Sequence, residues 1–278
     1  MTASPPREAL ARLLHGYSTE VIPRDQKSIE AACELLPRGA EVFIAAVPGE
    51  TPDRMVAAAS RLREAGLTPV PHVTARGLAS LDDADRLIGR LAHQAGVDRV
   101  LALGGDRDQP AGELHSSQQL IASGLFRKHA LGKVFIACYP ERHPRVESEV
   151  LESARAAKLR LVADQGLEVE LISQFCFEPG PIVALAKRLR APYRVGVAGP
   201  ASRATLVRYG LMCGIGPSLR ALRQRQSRTL APAETPEPLL AEVAAARQAD
   251  PALTITGVHL FTFGSLARSV QFAEELSR

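Results

Sequence analysis

TPVPHVTARGLASLDDADRLIGRLAHQAGVDRVLALGGD, residues 68–106, carries the rhythm of the whole chain. It opens on a short apolar run at 68–73 and passes into an amphipathic segment that starts at Leu81. That segment closes on Gly96, where a helix C-cap belongs. A second apolar run, DRVLALG at 98–104, follows at once. Strand, helix, strand is the reading, and runs this continuously apolar fit parallel strands buried on both faces.

The same alternation extends in both directions. Further strands are expected at GYSTEVI (16–22), EVFIAAV (41–47), KVFIACY (133–139), VELISQF (169–175), YRVGVAG (193–199) and TITGVHLFTF (254–263). Segments of helical spacing start at Asp53 and Ser148, and Gly66 and Gly166 stand at their C-terminal ends. Eight strands separated mostly by helices predict a single (β/α)8 TIM barrel over residues 1–278, with an open doubly wound sheet as the rival. The segment from Gln224 to Glu237 breaks the alternation. Its prolines, Pro232 and Pro236, and its polar residues read as an exposed loop before the helix LLAEVAAARQA.

The 278 residues are 46% hydrophobic and 23% charged, enough for a sizeable core in a chain that dissolves. No apolar run reaches about 18 residues, so no membrane span is expected. The opening MTASPPREALARLL has neither a signal peptide's apolar region nor the composition of a presequence. A cytoplasmic location is the expectation. The net charge of +4 is spread out and aromatic residues make up only 4%, which argues against a nucleic-acid face. Scattered Lys and Arg suit an anionic small molecule better. Cys33, Cys138, Cys176 and Cys213 form no CxxC, and the seven histidines show no zinc spacing, so no metal is expected. Cys138 and Cys176 lie in apolar runs and read as buried thiols.

In a barrel of this kind, active sites gather at the C-terminal ends of the strands. Those positions hold Glu20, His72 with Thr74, Asp106 after Gly104 and Gly105, Tyr139 with Glu141 and His143, and Gln174. Each interrupts or ends an apolar run, and a buried polar group without a partner costs about 1–3 kcal/mol. Several on one rim point to a site. A plain structural role stays open for each. Glu20 reads equally as a helix-start or ion-paired carboxylate, His72 as a partner for a neighbouring loop, and Asp106 as a turn residue. Tyr139 and His143 also suit a rigid proline-framed turn, and Gln174 is the hardest to explain without a ligand. General motifs are missing. GLMCGIGPSL follows an expected helix rather than a strand, LALGGD lacks a third glycine, and there is no Walker A, GxSxG or HExxH sequence.

Taken in order, these segments resemble the catalytic domain of methylenetetrahydrofolate reductases. STEVIP is similar to the family's first strand with its glutamate, and VPHVT to its Pro-His-hydrophobic-Thr on strand three. LALGGD resembles Leu-Arg-Gly-Asp on strand four, CYPERHP resembles Tyr-Pro-Glu-x-His-Pro on strand five, and LISQFCF resembles Ile-Thr-Gln-Phe-Phe-Phe on strand six. VHLFTF is similar to the last strand. The likeness runs from about residue 16 to the C-terminus, with CYPERHP and LISQF its most specific parts.

The resemblance implies an oxidoreductase that interconverts 5,10-methylenetetrahydrofolate and 5-methyltetrahydrofolate in one-carbon metabolism, toward methionine biosynthesis or in methyl-group oxidation. NAD(P)H would be co-substrate and FAD the carrier of hydride. Glu20 would be the general acid that opens the five-membered ring, and such an acid must hold its proton near neutral pH. Asp106 would stand between pterin and flavin, and Gln174 and Phe177 would bind the folate. His72, Thr74, Gly105, Asp106, Tyr139 and His143 would line the flavin site. A homo-oligomer fits such barrels, but no sequence feature sets the number of subunits.

The departures fall mainly on the flavin side. Gly104 replaces the arginine before Gly-Asp, Ala45-Ala46-Val47 replaces a strand-two threonine, Ala163 falls where a lysine is expected, and Cys176 replaces a phenylalanine. Arg76 and Arg107 offer positive charge from other loops. Either FAD is held by altered contacts, or hydride passes directly between nicotinamide and folate. Two further readings are a folate-linked methyltransferase and a non-catalytic folate-binding barrel. Neither needs the nicotinamide, and the second has little use for Glu20.

Overall fold

The computed structural model describes residues 7–143, 145–212 and 235–277. Its strands are β1 (Ser18–Val21), β2 (Glu41–Ile44), β3 (Thr68–Thr74), β4 (Arg99–Leu103), β5 (Lys133–Cys138), β6 (Glu168–Ser173), β7 (Tyr193–Ala198) and β8 (Ile255–Phe261). They follow one another in sequence order as a closed barrel, with β8 paired in parallel to β1. The helices are α1 (Arg7–Leu14), α2 (Gln26–Leu35), α3 (Pro52–Glu64), α4 (Leu81–Ala95), α5 (Ser117–Ala122), α6 (Leu125–Lys128), α7 (Ser148–Asp164), α8 (Pro179–Arg188), α9 (Arg203–Met212), α10 (Glu237–Ala249) and α11 (Leu266–Ser277). The expected (β/α)8 fold is therefore the observed one. Within it the chain forms two compact units. The first comprises Met1–Thr19, Cys138–Ser148 and Ile172–Arg278, and the second Glu20–Ala137 and Glu149–Leu171.

Local chemistry explains the element boundaries. The Ser80 hydroxyl accepts the Asp83 N–H at the start of α4, where Asp82 and Asp83 also meet the positive end of the helix dipole. Gly96 ends the same helix in the left-handed region, φ +60°, which a side chain would disfavour. Thr51 caps α3 in the same manner as Ser80.

Several strands stop earlier than their apolar runs. β2 ends at Ile44, so Ala45–Val47 leave the sheet, although the Ala45 N–H still bonds the Val21 carbonyl. β6 ends at Ser173, which places Gln174 and Phe175 beyond the strand, and Tyr139 lies one residue past β5. β8 ends at Phe261 because the chain turns, with Phe263 itself at φ +47° ahead of Gly264. An apolar run does not mark where ladder bonding ends: past the strand ends Phe175 stays buried, while Ala45–Val47 become partly exposed. Most of the Gln224–Glu237 segment, and Cys213, lie outside the described residues.

In the second unit Phe43 and Phe135 meet edge to face at 5.0 Å, and both are fully buried. Charged pairs stand at the strand starts. Arg99 binds Glu41 at 2.6 Å, and Lys133 binds the buried Glu170 at 2.5 Å. Arg99 also holds the Asp98 carboxyl below the usual carboxylate range. In the first unit the N-terminal α1 packs against α10 and α11, burying Leu10, Leu13 and Leu14. Cys138 and Cys176 are buried thiols outside any disulfide, as their apolar runs predict.

Candidate functional site

The candidate residues divide between the two units. Glu20, His72, Thr74, Gly105 and Asp106 belong to the second; Tyr139, His143, Gln174 and Phe177 belong to the first.

In the second unit Glu20 lies within β1 and is half-buried between the buried Thr19 and Val21. His72, in β3, meets Phe43 edge to face with ring centroids 6.1 Å apart. Thr74 ends β3 opposite Leu103 of β4 and crowds the following turn. A Cβ on Gly105 would lie 3.2 Å from the Thr74 Cβ, and Gly105 has φ +97°, so a glycine is needed there on both grounds. Asp106 is exposed beyond that turn. Arg76, which the sequence offers as a substitute cation, donates instead to the carbonyl oxygens of Arg107 at 2.7 Å, Asp108 and His115 at 3.4 Å. It staples the β4–α5 loop. Arg107 itself reaches the Gln109 carbonyl at 3.4 Å.

One residue here escapes a sequence reading. Glu50, in the β2–α3 loop, has a carboxylate only 5% exposed, with Arg24 at 3.3 Å as its ion-pair partner. Its local sequence, Pro48-Gly49-Glu50-Thr51-Pro52, reads only as a turn.

In the first unit the Tyr139 and His143 rings meet edge to face at 4.7 Å, and His143 Nδ1 accepts the Arg145 N–H at 3.1 Å. This Pro-framed turn is therefore self-supporting. Beside it the Cys176 thiol lies 3.5 Å from Glu141 Oε1 and 3.2 Å from the Glu178 carbonyl. The Gln174 N–H donates to the Cys138 carbonyl at 2.9 Å. Its side-chain oxygen accepts the Phe175 N–H at 3.0 Å, which fixes the amide orientation with its NH2 directed away.

The densest feature of this unit is aromatic. Phe175 is 1% exposed and stands edge to face with Phe177, Phe261 and Phe263 at 5.7, 5.3 and 5.2 Å. Tyr209 of α9 stacks on Phe263 at 4.4 Å with planes 30° apart, and Ala198, Ala201 and Leu206 close the cluster. Phe177, Phe261, Phe263 and Tyr209 are only partly buried, so the cluster keeps some aromatic surface open. Backbone proximity makes room for it. A Cβ on Gly196 of β7 would fall 2.1 Å from the Ser173 carbonyl oxygen and 2.8 Å from the Phe261 ring. Phe177 is the one aromatic member singled out from sequence. Phe261 shares a strand face with His259 at period-two spacing, whereas Phe263, past the end of β8, and Tyr209, on α9, carry no such signal.

Among the described residues no group of three or more His, Cys, Asp or Glu side chains is placed to hold a metal, and no helix is long and apolar enough to cross a membrane.

The architecture and these strand ends define a (β/α)8 barrel. No family model matches the chain. Among solved structures, an uncharacterized protein from Clostridium thermocellum that binds two copies of 5-methyl-5,6,7,8-tetrahydrofolic acid is similar with a TM-score of 0.59 at 14% identity, over 98% of each chain. A phosphonomutase-like protein from Burkholderia cenocepacia J2315 is similar with a TM-score of 0.51 at 14% identity, over 97% of this chain and 96% of that one. At these identities the likeness is one of fold.

Proposed function

We propose that this chain binds a reduced folate and, as the finer reading, interconverts 5,10-methylenetetrahydrofolate and 5-methyltetrahydrofolate with a nicotinamide nucleotide. The observation that carries the folate reading is the aromatic cluster at the ends of β6 and β8, with Gln174 beside it. Flat ligands settle on such ring faces, and one oriented amide beside them selects a heterocycle with donors and acceptors on one edge. The methyltetrahydrofolate-binding barrel from Clostridium thermocellum supports the same ligand class.

In the reducing direction, a proton from Glu20 goes to the bridging nitrogen and opens the five-membered ring. Hydride from the nicotinamide then adds to the one-carbon unit, giving the N5-methyl group and the oxidised nucleotide. Neither of two positions considered for a flavin diphosphate offers it a cation, because Gly104 carries no side chain and Arg76 is engaged on three carbonyls. The proposed hydride path is accordingly direct. Anaerobic mixing of the protein with 5-methyltetrahydrofolate and NAD(P)+ tests it. Nucleotide reduction without a bleaching flavin band, lost in Glu20→Gln, is the expected result. A flavin spectrum that bleaches with the folate would restore FAD.

The same departures favour a second reading, a folate-binding barrel without redox chemistry. Saturable folate binding with no nucleotide reduction selects it.

A further inference from the structure

Away from the strand ends, α4 and the α6 turn bring two imidazoles together. His93, in the last turn of α4, and His129, which ends α6, place Nε2 and Nδ1 3.3 Å apart. Their ring centroids are 5.4 Å apart, with planes at 67°. The other nitrogen of His129, Nε2, lies 2.7 Å from Asp85 Oδ1, and the same carboxylate takes the Lys128 ammonium at 2.7 and 2.8 Å. With Nε2 turned to the Asp85 carboxylate, the Nδ1 side of the His129 ring faces His93. The His129 side chain is only 13% exposed, whereas His93 is exposed. Gly89 explains how the inner ring fits. A glycine inside a helix is unfavourable, yet a Cβ here would stand 2.9 Å from His129 Cε1.

We propose that His93 Nε2 and His129 Nδ1 form a binding site for a divalent transition metal of the imidazole-favouring class, Zn(II), Ni(II) or Cu(II), which links α4 to α6. Metal–imidazole bonds of about 2.0–2.1 Å at a tetrahedral angle set the two nitrogens about 3.3–3.4 Å apart. The pair already has that separation. Binding needs a turn of the exposed His93 ring and a move of its proton from Nε2 to Nδ1. Asp85 then acts as the outer carboxylate that orients a metal-bound histidine. Among the described residues no third His, Cys, Asp or Glu side chain completes the set, so water fills the remaining positions and the ion exchanges freely. This site is independent of the folate reading.

The test is a titration of the purified full chain with Zn(II) alone, followed by thermal unfolding and by the imidazole signals in a heteronuclear NMR spectrum. Zn(II) is expected to raise the midpoint of unfolding, because it binds the native pairing of two helices. It should also shift the His93 and His129 signals together. His93→Ala, at an exposed position that leaves folding intact, abolishes both effects, and Asp85→Asn weakens binding about 10- to 100-fold. His129→Ala behaves like His93→Ala if it folds, and if it does not, His93→Ala decides alone. The proposal is overturned if Zn(II) up to millimolar concentration leaves the wild-type midpoint and these two signals unmoved. It is equally overturned if the His93→Ala chain keeps the full response.

Discussion

Ser18 and His259 are register partners on β1 and β8, both buried, with Ser18 Oγ 2.9 Å from His259 Nδ1. The first and last strands of the barrel are therefore joined by a side-chain hydrogen bond as well as by their backbone pairing. The imidazole also stands edge to face with Phe261 at 4.8 Å, directly beneath the aromatic cluster. Ser18→Ala removes the hydroxyl from a buried ring nitrogen and should cost about 1–3 kcal/mol. Urea unfolding of the variant measures it, and an unchanged midpoint would mean that the bond contributes nothing to closure.

Gly196→Ala should destabilise the chain by about 1–3 kcal/mol. The added Cβ meets the Ser173 carbonyl oxygen at 2.1 Å, a backbone atom that cannot step aside without moving β6 from β7. Because the same Cβ presses on Phe261, folate affinity should fall with stability. A variant as stable as the parent would show that the two strands have room to spare.

Alkaline pH offers a separate check. Burial, with the Glu274 carboxylate adding to it, pushes the Tyr17 hydroxyl up to about 12, and burial drives Tyr193 well above its ordinary value. A raised pKa means that the folded state holds the proton more tightly than the unfolded chain. The resulting stability is complete below about pH 10 and is lost as pH rises toward 12. Tyrosinate absorbance should therefore show Tyr17 ionising about two pH units late, and Tyr17→Phe should flatten the fall in stability over that window. Ionisation of Tyr17 near pH 10 would contradict the buried placement.

Phe175 and Phe177 should separate structure from binding. Phe175 is the buried hub, so Phe175→Ala is expected to cost about 3–5 kcal/mol of stability. Phe177 is partly exposed at the edge, and Phe177→Ala should leave the fold largely intact while weakening folate binding about tenfold, or about 1.4 kcal/mol. Equal effects of the two on stability alone would remove Phe177 from the site.

The fold was legible because each strand announces itself as an apolar run, and several follow a helix closed by a glycine, as at Gly96. What blurred were the ends. Ala45–Val47 and Gln174–Phe175 continue their apolar runs after the ladder stops, and composition does not register where hydrogen bonding ends. The polar candidates were legible as candidates, since a charge or amide in an apolar run stands out. The aromatic cluster was not legible, because its members are residue types that any core uses. Phe263 and Tyr209 lie on stretches far from Phe175 in sequence, and only three-dimensional proximity gathers them around it. Arg76 shows the opposite failure. Its charge suits a phosphate on paper, while the β4–α5 loop folds its own carbonyls onto the guanidinium.

The most direct test of the folate reading is a calorimetric titration of the purified protein with 5-methyltetrahydrofolate, repeated with a Gln174→Ala, Phe177→Ala double variant. Saturable binding to the parent that weakens at least tenfold in the variant is the predicted result. No saturable binding up to millimolar folate, or the same affinity in both proteins, would contradict it.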